Sequence, residues 1–358
     1  MPRLLAFIQR NQHRLSTLVF VTGFVTDLIT FTLLDLPVVN LLFIGYLAAA
    51  ALFTFVTHVM GRYATEPSGW RRSVAVLSTL AANFTIGGLL SGFLIFYSKS
   101  AEFTVSWPFL LLLAAIFFGN EFFRSYRSHL VFQTVLFFFA LYAYLIFALP
   151  LYVDRLGPEV FLWSTGLAVG VFAAFICLLG FAGRERLEET LWRIVLGAAA
   201  VVVAVVLSYF TGLVPPIPLT VKDSGIYHDV VHTEKGYEVT YEGSSRWSRF
   251  LPRTVHHASG TPLYAYSAIF APSAFSANVV HRWERYDEAN RKWVTQSMVA
   301  FTLSGGREGG YRGYSIKDNP EAGNWRVTIE TTEGQVIGRL RFEVESVQAL
   351  PVLYVNYR

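Results

Sequence analysis

The stretch NWRVTIETTEGQVIGRLRFEV, residues 324–344, decides the fold of the C-terminal part of this chain. Before the turn TEGQ, every second residue is apolar: Trp325, Val327 and Ile329. The alternation returns after the turn, and two such runs around a glycine-containing turn predict an antiparallel β-hairpin with one buried face. Trp325 is therefore predicted to lie in a core. On the other face, we expect Glu330 to pair with Arg339 or Arg341.

Other strand-like runs occur after residue 213, and no amphipathic helix separates them. The runs are GYEVTYE, PLYAYSAIF, NVVHRWERY and KWVTQSMVAF. Six to eight short antiparallel strands in about 145 residues predict an all-β, immunoglobulin-like sandwich domain over residues 214–358. A domain of that length can bury a core without disulfides.

Residues 1–213 differ in composition, because long apolar runs dominate them. They hold 13 Lys/Arg and 10 Asp/Glu, whereas the shorter segment 214–358 holds 16 and 15. A helix needs about 20 apolar residues to cross the hydrocarbon layer. Seven runs of that order occur, at about 15–34, 37–59, 73–96, 104–120, 130–152, 160–182 and 192–213. We therefore expect a membrane all-α domain of about seven transmembrane helices, whose first run is too long for a cleaved signal peptide.

Basic residues in the short connections predict the orientation. The N-terminal segment and the second, fourth and sixth connections hold 11 Lys/Arg, while the odd-numbered connections hold only Lys99 and Arg155. Because cytoplasmic connections are enriched in Lys/Arg, we expect a bacterial cytoplasmic-membrane protein with a cytoplasmic N-terminus and the C-terminal domain outside. The net charge of +4 reflects this asymmetry. It indicates no nucleic-acid partner, since the C-terminal part has no basic run.

Asp27 is the most conspicuous polar residue inside a predicted span. An intramembrane carboxylate is a functional candidate by default. A partner such as His58 or Asn83 would suggest a proton relay. The alternative is structural, with Asp27 near the outer interface or hydrogen-bonded to a neighbouring helix.

The stretch SGGREGGYRGYS, residues 304–315, contains five glycines. It lacks the Lys-Ser/Thr of a P-loop and the spacing of a dinucleotide fingerprint, so we expect no nucleotide cofactor. Arg307 and Arg312 are candidates to bind an anionic envelope group, such as a lipid phosphate or a sugar carboxylate. Arg312 lies between Tyr311 and Tyr314 in the sequence, and we expect their rings to flank a bound sugar or headgroup. The alternative is a turn-rich connection whose glycines serve the backbone.

The aromatic and histidine residues of the C-terminal part suggest further candidates. The histidines are His228, His232, His256, His257 and His281. No metal-ligand spacing joins them, so we expect no metal site. His281 shares a strand face with Trp283, which predicts a hydrogen-bonded core histidine. Trp247 and Trp293 are the exposed candidates for stacking on a sugar. The chain has a single cysteine, Cys177, so no internal disulfide can form.

Three segments carry a resemblance: VVHRWERYDEANRKW (279–293), GGREGGYRGYSIKD (305–318) and GNWRVTIETTEGQVIGRLRFEV (323–344). Together they resemble the bacterial family known as domain of unknown function 2914, over about residues 277–345. Members often carry this module at the end of a polytopic membrane protein. The resemblance implies this architecture and implies no activity.

Two functions of different classes follow from these observations. The leading hypothesis is a non-enzymatic protein, anchored in the lipid bilayer, whose outer domain binds an envelope protein, a glycan or an anionic lipid. The alternative is a membrane-embedded enzyme or carrier that acts on an envelope lipid or glycan through Asp27. Signal transduction is a third hypothesis, weakened by the very short cytoplasmic connections. No Ser/His/Asp order or paired-carboxylate motif indicates a catalytic residue.

Overall fold

The structure is a computed structural model that describes residues 22, 24–30, 36–60, 70–100, 103–122, 130–183, 187–215, 219–234, 236–243, 253–271, 276–304 and 310–358. The chain divides into two compact units. Unit 1 comprises Met1–Ser98, Pro108–Leu149 and Phe161–Ser208, and unit 2 comprises Lys99–Trp107, Pro150–Val160 and Tyr209–Arg358.

Apolar helices form the N-terminal part. They are α1 (Leu36–Met60), α2 (Trp70–Ser100), α3 (Phe103–Phe122), α4 (Leu130–Val153), α5 (Pro158–Ala182) and α6 (Leu191–Phe210). Five are long and apolar enough to cross a membrane, and α3 contains a shorter apolar stretch, Val105–Gly119. Five of the seven predicted spans therefore correspond to such helices. Of the first predicted span, the structure describes Thr22 and residues 24–30, which are helical.

α4 is the most buried of these helices, whereas most of the apolar surface of α5 and α6 is exposed, as lipid-facing helices require. Hydrogen bonds join α4 to its neighbours, and two of them link side chains. The hydroxyl of Tyr144 donates to Asn40 Oδ1 at 2.9 Å, and the hydroxyls of Tyr142 and Thr165 are 2.7 Å apart. Exposed tryptophans lie near helix ends, as expected at a membrane–water interface. They are Trp70, Trp107, Trp163 and Trp192.

The C-terminal part consists of β-strands. They are β1 (Thr220–Tyr227), β2 (Asp229–Thr233), β3 (Gly236–Glu242), β4 (Arg253–Ala258), β5 (Pro262–Phe270), β6 (Ser276–Asp287), β7 (Lys292–Ser304), β8 (Tyr311–Asp318), β9 (Gly323–Thr331), β10 (Val336–Val347) and β11 (Leu353–Tyr357). The predicted runs correspond to β3, β5, β6, β7, β9 and β10. The described residues thus contain more strands than the six to eight expected.

These strands form three sheets, with the orders β1-β5-β8, β4-β10-β9-β6-β7 and β11-β3-β2. We call them the middle sheet, the five-stranded sheet and the cover sheet. The predicted hairpin is present, because β9 and β10 pair antiparallel with Trp325 opposite Phe342. The β4–β10 pair is parallel, contrary to the antiparallel expectation. These two strands are far apart in sequence, and a long crossover permits parallel pairing.

The middle sheet is packed on both faces. One face of β1 and β5 joins the five-stranded sheet in two buried clusters, which include Ile226, Leu263 and Ile269. The opposite face meets the cover sheet in a third cluster, which includes Tyr266 and Val239. The prediction for Trp325 is confirmed, since it is 2% exposed and its ring lies 6.4 Å from that of Trp283.

His281 joins two sheets inside the core, which confirms the prediction of a hydrogen-bonded core histidine. Its Nε2 lies 2.8 Å from Ser267 Oγ, and its Nδ1 lies 3.0 Å from Ser315 Oγ. The indole N–H of Trp283 donates to the same Ser315 oxygen at 2.9 Å. Burial lowers the pKa of His281 to about 4, so the ring is neutral at pH 7. A neutral ring with a partner on each nitrogen satisfies the buried polar groups.

Glu330 forms its ion pair with a residue that the sequence did not suggest, although the charge of Arg339, one of the two expected partners, also acts on it. Glu330 pairs with Arg282 on β6. On that side of β9, Glu330 lies opposite Val280, which is two residues from Arg282 on the same face of β6. On the hairpin side, Glu330 lies opposite Val336 of β10. Burial raises the pKa of Glu330, and the nearby Arg282 only partly opposes this effect.

We expect Trp325→Ala to lower the free energy of unfolding of the β domain by about 3–5 kcal/mol, because truncating a buried tryptophan removes apolar burial and leaves a cavity. Thermal unfolding of the full-length protein, followed by near-UV circular dichroism, measures the change. Met298→Ala is the control, since Met298 is 59% exposed. An unchanged melting temperature in Trp325→Ala would contradict the core position of this residue.

A second prediction concerns pH. Because the folded pKa of His281, about 4, lies below its unfolded value, the unfolded state takes up a proton first as the pH falls. The stability due to neutral His281 is complete above about pH 6.5 and is lost as the pH falls toward 4, by roughly 3 kcal/mol. His281→Gln should be less stable than the native protein at pH 7.5, yet lose less stability between pH 6.5 and 4.5. Equal slopes in the two melting-temperature profiles would contradict this assignment.

Candidate ligand-binding surface

The second face of β8 presents polar and aromatic side chains. Ser315 is buried beside His281, so strand alternation directs Arg312, Tyr314 and Ile316 away from the five-stranded sheet. On β5, Tyr266 lies opposite Tyr314 and Tyr264 lies opposite Ile316. This face of the middle sheet therefore groups tyrosines around an arginine.

The cover sheet extends this group of rings. His232 on β2 lies opposite Tyr237 on β3, with ring centres 4.9 Å apart. The ring centre of Tyr237 lies 6.1 Å from that of Tyr314, and the ring centre of Tyr314 lies 5.9 Å from that of Tyr264. We call the row His232–Tyr237–Tyr314–Tyr264 the aromatic ladder. Its members are half-buried or exposed, so parts of their ring faces are accessible to a ligand, while the hydroxyl of Tyr237 donates to the carbonyl oxygen of Arg312 at 3.4 Å.

Arg312 lies beside the ladder, and glycine makes room for it. A Cβ built at Gly236 would lie 3.0 Å from Arg312 Nη1, and the φ of Gly236 is +125°, a conformation that favours glycine. Of the carboxylates in the described residues, none forms an ion pair with Arg312. The neighbouring phenol does not neutralise it either, because burial raises the pKa of Tyr266 to about 12, with Arg312 partly opposing the rise.

The acidic residues nearby have other partners. Asp223 Oδ2 lies 3.3 Å from Arg358 Nη1. Asp229 accepts a hydrogen bond from the backbone N–H of Val230 at 2.9 Å, and it also contacts the phenol of Tyr264. Arg312 is thus a cation next to exposed rings whose acidic neighbours are engaged elsewhere, which is the arrangement that an anionic ligand requires.

The two tyrosines expected to flank a bound group lie on opposite faces of β8. β8 begins at Tyr311, so this part of the predicted loop is a strand, and adjacent strand residues point to opposite faces. Tyr311 packs against the core shared with the five-stranded sheet, and Tyr314 shares the face of Arg312. Arg307 and Trp247 lie outside the described residues.

A glycine ends the connection before β8. Gly310 has a φ of +83°, and a Cβ there would lie 3.0 Å from the backbone carbonyl carbon of Ile269. This position therefore serves the turn, as the structural alternative for the loop expects.

Trp293 belongs to a different surface. It lies opposite Tyr286 on β6, with ring centres 5.2 Å apart. The guanidinium of Arg326 lies 4.5 Å from the Trp293 ring and donates two hydrogen bonds to Glu284, at 2.6 and 2.8 Å. Trp293 therefore covers an ion pair on the outer face of the five-stranded sheet, and the fold does not bring it to Arg312.

Two other histidines share a carboxylate. His228 Nε2 and His256 Nδ1 each lie 2.7 Å from a Glu242 oxygen, and the backbone N–H of His256 also donates to Glu242. Burial acts to raise the pKa of Glu242, but these hydrogen bonds outweigh it and lower the pKa. Glu242 thus links β3 to β4 and to the bend at His228. Within the described ranges, no three His, Cys, Asp or Glu side chains have the geometry of a metal site.

The polar residues predicted inside the spans are separated. Asp27 is half-buried beside Ser91 and Tyr46. His58 Nε2 instead donates to the carbonyl oxygen of Leu179 on α5, at 3.1 Å. Asn83 is buried on α2, eight residues from Ser91, or about 12 Å along a helix. The structure thus brings Asp27 to Ser91 and Tyr46, while His58, 12 residues after Tyr46, lies about 18 Å further along α1.

Known structures give weak likenesses. An immunoglobulin-like protein from Pseudomonas aeruginosa is 10% identical, with 36% of this chain and 96% of that chain covered and a TM-score of 0.22. A β-glucosidase from Listeria innocua is 14% identical, with 39% and 17% covered and a TM-score of 0.20. The alkylpurine DNA glycosylase AlkC from Pseudomonas fluorescens is 10% identical, with 83% and 99% covered and a TM-score of 0.23. Scores this low assign neither a fold nor an activity to this chain.

No curated protein matches the chain significantly. One family does match part of it, the family described as "Protein of unknown function (DUF2914)", over residues 276–344. This interval covers β6 to β9 and most of β10, and it includes Arg312 and Tyr314. The other three residues of the aromatic ladder lie before it. The resemblance predicted from the sequence is thus confirmed for residues 276–344.

Proposed function

We propose that this protein is an integral protein of the bacterial cytoplasmic membrane whose β domain, residues 214–358, lies outside the cytoplasm and binds an acidic glycan of the envelope without catalysis. The observation that carries the proposal is the aromatic ladder with Arg312 beside it. The ladder offers three successive ring spacings of 4.9, 6.1 and 5.9 Å. An extended ligand with several rings suits such a row better than a compact ion does.

The chemistry of the side chains favours a sugar. A tyrosine combines an apolar ring with a polar hydroxyl, and a sugar ring likewise has C–H groups on its faces and hydroxyl groups at its rim. The planar guanidinium of Arg312 donates paired hydrogen bonds that match a carboxylate or a phosphate. The ladder would therefore bind the rings, while Arg312 would select for the acidic group.

The proposed topology rests on the distribution of Lys/Arg among the connections. The division of the chain into two compact units supports it. Residues 1–213 would cross the membrane seven times, with the runs 15–34 and 104–120 completing the count. Unit 2 groups Lys99–Trp107 and Pro150–Val160 with the β domain. These segments contain two of the three connections that are poor in Lys/Arg, which supports their lying on the same side as the β domain. The core between the five-stranded and middle sheets supports an immunoglobulin-like sandwich with the cover sheet added.

We expect the full-length protein, in nanodiscs of neutral lipid, to bind oligogalacturonate, an acidic sugar oligomer, more tightly than an uncharged galactose oligomer of equal length. Arg312→Ala should weaken oligogalacturonate binding by about tenfold, which is 1.4 kcal/mol, and the affinity of the native protein should fall as salt rises. Tyr314→Ala should weaken binding of both oligomers, because it removes ring contact and no charge. Isothermal titration calorimetry measures these affinities.

Arg341→Ala is the matched control, because Arg341 is exposed on the outer face of the five-stranded sheet, opposite Arg326. It should leave both affinities unchanged. Vesicles of phosphatidylglycerol form the second arm of the experiment. If the vesicles bind through Arg312 and the acidic oligomer does not, the ligand is an anionic lipid and the glycan proposal fails. Binding of oligogalacturonate that is unaffected by Arg312→Ala would also overturn it.

The orientation has its own prediction. Alkaline phosphatase, which is active only outside the cytoplasm, should be active when fused after Arg358 and inactive when fused after Met60. A cytoplasmic fluorescent reporter at the same two positions should give the reverse result. Phosphatase activity only in the Met60 fusion would invert the topology, and the β domain would then not meet an envelope glycan.

A further inference from the structure

Three polar side chains of the described helices combine complete burial with polar atoms that lack a hydrogen-bond partner. Thr54 on α1, and Gln133 and Thr134 on α4, have no exposed surface. Four of their atoms make no hydrogen bond within the part of the chain that the structure describes. These atoms are Thr54 Oγ1, Gln133 Oε1, Gln133 Nε2 and Thr134 Oγ1.

The packing of α1 against α4 brings Thr54 and Gln133 to the same level. Successive helices reverse direction, so α1 and α4, three reversals apart, run antiparallel. They meet where Asn40 bonds Tyr144 and where the rings of Phe43 and Phe147 lie 5.7 Å apart. Thr54 lies about four turns after Asn40 and three turns after Phe43. Gln133 lies about four turns before Phe147 and three turns before Tyr144. Whole numbers of turns keep both residues on the contacting faces.

Contacts of α5 with α4 and with α1 independently place Gln133 and Thr54 at the same level. The ring of Phe137 on α4 lies 4.8 Å from that of Phe175 on α5. Gln133 lies one turn before Phe137 on α4, and Leu179 lies one turn after Phe175 on α5. The carbonyl oxygen of Leu179 accepts the hydrogen bond of His58, and His58 is one turn from Thr54 on α1. Contacts of α1 with α4, of α4 with α5 and of α5 with α1 therefore converge on one level.

Buried polar groups without partners are costly, by about 1–3 kcal/mol each, and inside a membrane the backbone and lipid offer no substitute. Gln133 alone brings two donor hydrogens and an acceptor. α1 and α4 contain no charged residue, and α5 contains Glu159 only in its first turn. The group is thus rich in hydrogen-bonding capacity and has no fixed charge.

We propose that Thr54, Gln133 and Thr134, with His58 at the margin, form a second binding site, which admits small uncharged molecules bearing hydroxyl groups, water being the smallest. The amide of Gln133 would both donate to and accept from the guest, and the threonine hydroxyls would complete its hydrogen bonds. The site lies in the half of the bundle where α1 and α5 end and α4 begins. It is independent of the glycan site on the β domain.

Cysteine reactivity tests the proposal, with the single native cysteine first replaced by Cys177→Ser. Thr134→Cys and Thr54→Cys are compared with Ala140→Cys, a fully buried position on α4. The probe is hydroxyethyl methanethiosulfonate, which is small, uncharged and hydroxyl-bearing. A thiol in apolar surroundings is inert, so both site variants should react at least roughly tenfold faster than Ala140→Cys. The cationic trimethylammonium analogue should react more slowly than the neutral probe.

Adding Gln133→Leu, which keeps the size of the side chain and removes its amide, should reduce the reaction of Thr134→Cys to the rate of Ala140→Cys. Monodisperse elution in detergent shows whether each variant folds. If Gln133→Leu does not fold, the rates of the three single-cysteine variants still decide. Rates for Thr54→Cys and Thr134→Cys equal to that of Ala140→Cys would overturn the proposal. Faster reaction with the cationic analogue would overturn the assignment of an uncharged guest.

Discussion

The middle sheet is packed on both faces, and this constraint governs the rest of the β domain. A strand whose two faces meet different surroundings assigns each residue to one face or the other, and a slip of one residue would exchange them all. On β8, Ser315 points to the core and bonds His281, while its neighbour Tyr314 points to the ladder. The core contacts of the odd-numbered residues therefore fix the surface positions of the even-numbered ones.

The same constraint fixes the backbone that carries Arg312 in the proposed glycan site. Gly313, the next residue, points to the core. A Cβ at this position would lie 2.8 Å from the ring of Phe301, so β8 packs closely against β7 of the five-stranded sheet. Ser315, two residues further, is tied to both His281 and Trp283. Arg312 is thus carried by a strand whose position the core determines. A site on such an element is preorganised, which lowers the entropic cost of binding.

The sequence predicted the strands that carry a strong local alternation, and it missed those whose structure depends on distant partners. The hairpin of β9 and β10 was readable because Trp325, Val327 and Ile329 alternate with polar residues around a turn. β8 was taken for a loop because its glycine has weak strand propensity. A glycine is needed at position 313 because the ring of Phe301, on β7, packs against it. No local sequence pattern indicates that contact.

The candidate site was half predictable for a related reason. Arg312 and Tyr314 were singled out by their composition, and alternation could have separated Tyr311 from them once β8 was known to be a strand. Tyr237 and His232 join the ladder from another sheet, so only the stacking of sheets brings them there. The partner of Glu330 was missed because the sequence suggests the hairpin neighbour, whereas β6 on the other side of β9 supplies Arg282.

Two fully buried polar side chains, one in each part of the chain, differ in how their hydrogen bonds are completed. In the β domain, His281 is fully buried, and each of its ring nitrogens has a hydroxyl partner, so the group is complete and serves the fold. In the helices, Gln133 is equally buried, and neither atom of its amide has a partner among the described residues. A structural role would be filled as well by a leucine at no polar cost. The unpaired amide of Gln133 is therefore the observation on which the second binding site rests.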